Sequence, residues 1–115
     1  MNKYFVIYRV PVATMEEWRK TTSPEEMKAQ GEKLGKDMMA WTEKHAANLV
    51  DRGTPLGKTK TVSAAGIVDS KNDLNYCCVV QAESHEAAAQ MFADSPHFTI
   101  PTSTIDVMEI PHMGM

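Results

Sequence analysis

The run Leu74–Ala82, LNYCCVVQA, is apolar on both sides of a strand. Side chains alternate from face to face along a strand. Tyr76, Cys78 and Val80 therefore share one face, and Cys77 and Val79 share the other. Tyr4–Val12, closed by Pro11, repeats the pattern, with Phe5 and Ile7 opposed to Tyr4, Val6 and Tyr8. A sheet carrying two such strands has to be covered twice. This constrains the fold more than any motif in the chain.

The rest of the chain supplies cover for one face. Thr14 with Glu17, and Ser23 with Glu26, have the spacing of capping boxes, and Pro24 suits a first helical position. The first box predicts a short helical turn over Glu16–Lys20. The second predicts a long helix reaching Asp51 and stopped by Gly53 and Pro55. Met27, Leu34, Met38, Trp41, His45 and Leu49 recur along it at helical spacing, giving one apolar stripe. Gly31 and Gly35 weaken that helix intrinsically, so packing must hold it. Thr59–Val68 is expected as a strand, bulged near Ala64-Ala65-Gly66, and Asp69–Asp73 as a turn. Ser84 caps a helix ended by Ser95-Pro96, and Ile105–Ile110 is the last strand. The order β-α-β-β-α-β is the α+β, ferredoxin-like arrangement, in one domain over residues 1–115. Two helices cover one face of its four strands. The simplest cover for the other face is a second copy of the same sheet, so a homodimer through the open sheet face is expected.

Composition excludes several classes. The 115 residues are 43% apolar and 23% charged, with net charge −3, an ordinary globular balance. Lysines and glutamates are interleaved and leave no basic stripe, which argues against a nucleic-acid partner. No apolar run is long enough to span a bilayer, and the first residues read as a strand rather than a signal peptide. The adjacent Cys77 and Cys78 point to opposite faces, so a bond between them would be strained. Buried thiols in a reducing, cytoplasmic setting are expected.

The candidate sites are few. GTPLGKT (Gly53–Thr59) falls one residue short of a phosphate-binding loop. It also follows a helix and precedes a strand, the reverse of the order that brings a helix N-terminus to an anion. It reads as a turn. Lys58 and Lys60 nearby, and Arg9, are candidates for holding a carboxylate. Trp41 and His45 lie four residues apart on one helix face, where a proton carrier would adjoin a stacking surface. His97, in the loop DSPHF beside Asp94, pairs an imidazole with a carboxylate that could orient it. His85 falls in a first helical turn and His112 in the tail HMGM, which is expected to fray. No HxxxH or CxxC spacing points to a metal, and the nine methionines read as adaptable packing rather than a haem environment. No cofactor is expected.

MAWTEKHAANLVDRGTPLGKTKTVSAAG (Met39–Gly66) resembles the YCII-related proteins, in particular relatives of the DGPF type. The likeness is carried by Trp41, Gly53, Pro55, Gly57, Lys60, Thr61, Val62, Ser63 and Gly66, and continues through Glu86–Phe98 and Ile105–Ile110. It implies a dimeric α+β barrel in which two ferredoxin-like sheets face each other. That group holds muconolactone isomerase-like enzymes, cofactor-free monooxygenases, haem enzymes and ligand-sensing domains, and the fold does not choose among them. Some YCII-like members are thought to pair a His with an Asp. This chain has no His near the start of its long helix, and the tetrapeptide position reads VDSKND, where Asp69 matches the motif's Asp.

The leading expectation is a small-molecule-binding dimer acting as a cofactor-independent isomerase or lyase on a small organic acid. His97 or His45 would move the proton, Asp69 or Asp94 would orient the histidine, and Trp41 and Tyr8 would form an apolar wall. The alternative is a ligand-binding or accessory dimer without chemistry.

Overall fold

The computed structural model describes residues 1–111; the sequence expectation for His112 lies outside them. The strands β1 (Asn2–Arg9), β2 (Leu49–Pro55), β5 (Leu74–Ala82) and β6 (Thr104–Glu109) form one sheet in the order β2-β5-β1-β6, every pair antiparallel. Helices α1 (Val12–Thr21) and α2 (Pro24–Lys44) fill the first crossover, and α3 (His85–Gln90) with a 3₁₀ turn over Pro96–Thr99 fills the second. This is the ferredoxin-like α+β fold. Strands β3 (Thr59–Ser63) and β4 (Gly66–Ser70) form a separate hairpin inserted before β5. Among the described residues no helix is long and apolar enough to cross a membrane.

The central pair follows the alternation in its sequence. Tyr8 faces Tyr76, Val6 faces Cys78 and Tyr4 faces Val80, all turned toward the helices. Trp41, Ala88 and Phe92 close this side, and Val6 and Val80 are fully buried. Each buried aliphatic side chain of that size contributes about 1.5–3 kcal/mol by leaving water. On the opposite side Phe5 lies across from Val79 and Met108, and Ile7 across from Cys77. Among the described residues no helix covers them, and Met108 is 40% exposed.

Two expectations need correction. The long helix does not reach Asp51: it ends at Lys44, with His45 as its C-cap, and Leu49–Pro55 is a strand. This segment, and not Thr59–Val68, is the edge strand beside β5. Its pairing with β5 shifts register twice, between Leu49 and Asp51 and between Asp51 and Thr54, so the alternation that marks a strand is broken. The second correction is Thr59–Val68, which folds back at Ala64-Ala65 into the hairpin rather than bulging. Its Val62, Ile67 and Val68 are 72%, 67% and 61% exposed. The helices differ in smaller ways. At α2 the Ser23 hydroxyl accepts from the Glu26 N–H at 3.2 Å, as the capping spacing predicts. At α1 no side chain caps the helix, which runs from Val12 for ten residues and so exceeds the expected turn. Thr14 instead shares a hydrogen bond with Thr102. The helix α3 stops at Gln90, five residues early, and turns carry the chain on to Pro96.

Gly53 is where β2 comes against β5. Its φ is +91°, and a Cβ there would run into the Cys77 carbonyl oxygen and lie 2.8 Å from Tyr76 Cε1. Asp51 accepts from its N–H at 2.8 Å and holds the bulge. The obstruction is backbone and cannot swing away. Gly53→Ala is expected to lower the unfolding free energy by roughly 2 kcal/mol or more. Gly57→Ala, whose added Cβ would meet nothing within 4 Å, should cause no loss. Urea denaturation of the two variants measures both.

Candidate functional site

The alternation in β1 turns Tyr8 and Val10 inward and Arg9 outward. The register between β1 and β5 slips between Tyr8 and Arg9, which leaves Asn75 as the extra residue. Its side-chain oxygen accepts from the Val10 N–H at 3.0 Å. Past the end of β1 the 3₁₀ turn delivers His97, with the Ser95 hydroxyl accepting from its N–H at 3.3 Å. Between this corner and α2 lies a cleft of about 370 Å³. Tyr8, Tyr76, Asn75 and His97 form its inner side; Leu34, Met38 and Met39 of α2, with Met15 and Ile100, form the apolar wall. Thr42, Glu43 and Arg52 also line it.

The electrostatics follow from burial. Tyr8 is 2% exposed, and desolvation pushes its phenol well above the usual tyrosine range, so it stays protonated. Its ring lies 5.3 Å from that of Tyr76 and 5.0 Å from that of His97. Tyr76 donates to the Arg52 carbonyl at 2.7 Å, and burial raises its pKa as well. His97 is 5% exposed, with Nε2 at 3.1 Å from the Arg9 carbonyl oxygen. Burial lowers its pKa, and contacts with the backbone of Arg9 and Thr104 oppose that in part. The imidazole is neutral at neutral pH.

Of the residues singled out from sequence, Tyr8 and His97 line this cleft. Asp94 is not beside His97. It turns to α2, where it accepts from Trp41 Nε1 at 3.2 Å and Lys44 Nζ at 2.8 Å. These contacts hold its carboxyl below the usual range. The His45 ring lies against Trp41, tilted by 40° with centroids 4.4 Å apart, and its Nε2 is 3.9 Å from Asp94, beyond hydrogen-bond reach. That nitrogen is buried without a hydrogen-bond partner, and desolvation is the main reason its pKa is lowered. Trp41 sits in the core between His45 and Phe92 rather than on the cleft wall. Arg9 lies on the open face of the sheet, bidentate to Asp73 and bonded to Asp106 at 2.8 Å. Lys60 pairs with Asp69 across the hairpin at 2.6 Å, and Lys58 is exposed in the loop before it. GTPLGKT runs from the end of β2 into β3 with no helix after it, so it is no phosphate loop. Cys77 and Cys78 are free, and burial pushes the Cys78 thiol up to about 12. Among the described residues no group of three or more His, Cys, Asp or Glu could hold a metal ion.

Sequence reasoning missed Arg52, Asn75 and Tyr76. Arg52 and Asn75 gave no signal, because the first fell inside an apparent helix end and the second is aimed by a register slip. Arg52 has no ion pair among the described residues. It is the cleft's one cation, whereas Arg9 and Lys60 are already neutralised.

The two lowered histidines fix the sign of a pH effect. The unfolded chain takes up protons at each as pH falls through about 6.5, while the folded chain resists until lower pH. The stabilisation is full above 6.5 and is lost as pH falls toward the folded values. Urea unfolding between pH 7.5 and 5 should show stability falling on acidification, with a shallower slope in His97→Asn. An NMR titration should place the His97 midpoint below 6.5.

No protein-family model matches the chain, and no curated protein matches it. Among solved structures it is similar to 5-chloro-2-hydroxyhydroquinone dehydrochlorinase (TftG) from Burkholderia phenoliruptrix AC1100, in complex with 2,5-dihydroxybenzoquinone. The identity is 17%, the match covers 90% of each chain and the TM-score is 0.44. At that distance the fold assignment stands on the strand order of this chain's own sheet.

Proposed function

We propose that the protein binds a small, flat organic acid in the cleft between β1, β5 and α2. One observation carries the reading: a cleft of about 370 Å³ with aromatic and methionine walls and one unpaired guanidinium, Arg52. Its volume is within the range of small-molecule sites. Arg52 takes the acid group as a fork-shaped donor, and the ring lies against Tyr8 and Tyr76. Glu43 and Thr42 suit a hydroxyl substituent on the same ligand. Neither His45 nor His97 has a carboxylate within hydrogen-bond reach inside the cleft, so binding without chemistry stands first.

The neighbouring Tyr8 and His97 favour a second reading, a cofactor-independent isomerase or lyase. There the neutral His97, its Nε2–H donating to the Arg9 carbonyl, takes a carbon-bound proton of the ligand on Nδ1, and the protonated Tyr8 donates a hydrogen bond to the charge that develops. Binding is tested by calorimetry with 4-hydroxybenzoate, benzoate and the neutral benzamide. The acids should bind and benzamide should bind about tenfold more weakly. Arg52→Ala should erase that difference while leaving the melting temperature unchanged. Equal affinities for acid and amide in the parent protein would remove the reading.

We further propose that the active form is a homodimer closed through the open sheet face, a dimeric α+β barrel. Phe5, Ile7, Cys77, Val79 and Met108 form an apolar patch that no helix among the described residues covers, and the hairpin carries Val62, Ile67 and Val68 out into solvent. The radius of gyration is 16.1 Å and the shortest extent 19 Å, a plate where a compact chain of this length would have a radius of about 13 Å. Light scattering on the eluting protein should give twice the chain mass, and Ile7→Lys should give the single-chain mass with its fold intact by circular dichroism. A parent protein that elutes at single-chain mass at tens of micromolar rejects the dimer.

A further inference from the structure

Met15, Leu34 and Ile100 form the outer wall of the cleft, and the same three side chains are the inner edge of a second groove of about 910 Å³. This groove runs between α1, the first half of α2 and the Thr99–Pro101 segment. Trp18 walls it, with Nε1 donating to Gln30 Oε1 at 2.6 Å. That bond satisfies the indole's one polar group, so the ring presents apolar surface. Two of the charged groups along the groove, Lys33 and Asp37, are paired with each other at 2.8 Å.

Gly31, which also lines the groove, is informative. Glycine inside a helix is destabilising. Here a Cβ would meet nothing within 4 Å. The protein's own packing does not require glycine at this point, and the missing side chain leaves the groove open.

We infer that cleft and groove are one elongated site. The cleft takes the acidic head of the ligand, and the groove takes an apolar tail that passes over Met15, Leu34 and Ile100 to lie along Trp18 and Gly31. The ligand class is then an amphipathic organic acid, an aryl or acyl acid with a chain, rather than a compact one. This rests on the head-group reading above. The three shared wall residues argue for this occupant: a molecule anchored at Arg52 and longer than one ring would extend over Met15, Leu34 and Ile100 into the groove.

The test is calorimetry with benzoate, 4-butylbenzoate and 4-octylbenzoate on the parent protein, Gly31→Phe and Trp18→Ala. In the parent each added methylene should tighten binding by up to about fourfold, from the usual transfer of a CH₂ out of water. Gly31→Phe obstructs the groove, so benzoate should bind as before while the gain with chain length shrinks. Trp18→Ala removes the wall, so the gain should shrink at unchanged benzoate affinity. The parent series needs no variant, which keeps the test decisive if a variant misfolds. Benzoate binding with no gain along the parent series overturns the inference and leaves the cleft intact. A gain that survives unchanged in both variants also overturns it. Failure of benzoate itself to bind overturns the head-group reading, and this inference with it.

Discussion

The antiparallel pairing of β1 with β5 is the contact on which the rest depends. It is the central pair of the sheet, and its register sets which side chains can meet. Tyr4, Val6 and Tyr8 lie against Val80, Cys78 and Tyr76, and that stack receives Trp41, Ala88 and Phe92 from the helices. The same register puts Phe5, Ile7, Cys77 and Val79 together on the other face. Shifting it by one residue would exchange the two faces. The slip after Tyr8 lets Asn75 bond the Val10 N–H and gives the cleft its inner corner.

Charge is distributed in keeping with this division. Arg9 leaves β1 on the open face and is held by Asp73 and Asp106, which ties the sheet's end together. Lys60 and Asp69 neutralise each other across the hairpin. Lys44 and Trp41 use both oxygens of Asp94 to tie α2 to the segment after α3. What is left at the cleft is Arg52, exposed and without an ion pair among the described residues, with Glu43 elsewhere on the lining.

The limits of sequence reasoning fall at particular residues. Tyr8 and His97 were legible, the first by alternation and the second as a loop histidine, and both line the cleft. Nearness along the chain suggests a link from His97 to Asp94, but Asp94 is taken by Trp41 and Lys44 while His97 Nε2 lies against the Arg9 carbonyl. Leu49–Pro55 looked like the end of a helix because His45 and Leu49 continue the spacing of the stripe, and because two register shifts hide the alternation of a strand. No local pattern announces a strand whose pairing is this irregular. Its positive-φ glycine, Gly53, fits both a helix C-cap and a bulge.

By itself the sequence determined the ferredoxin-like order of elements and the two apolar faces of its central strands, because both follow from periodicity and from turn and capping residues, which act over a few positions. Tertiary structure alone decided the edge strand, the partners of Arg9 and Asp94, the exposure of the hairpin and the isolation of Arg52 at the cleft. Those depend on register and on which distant segments meet. Long-range contacts of that kind are chosen by the packing of the whole sheet, and no local stretch of sequence encodes them.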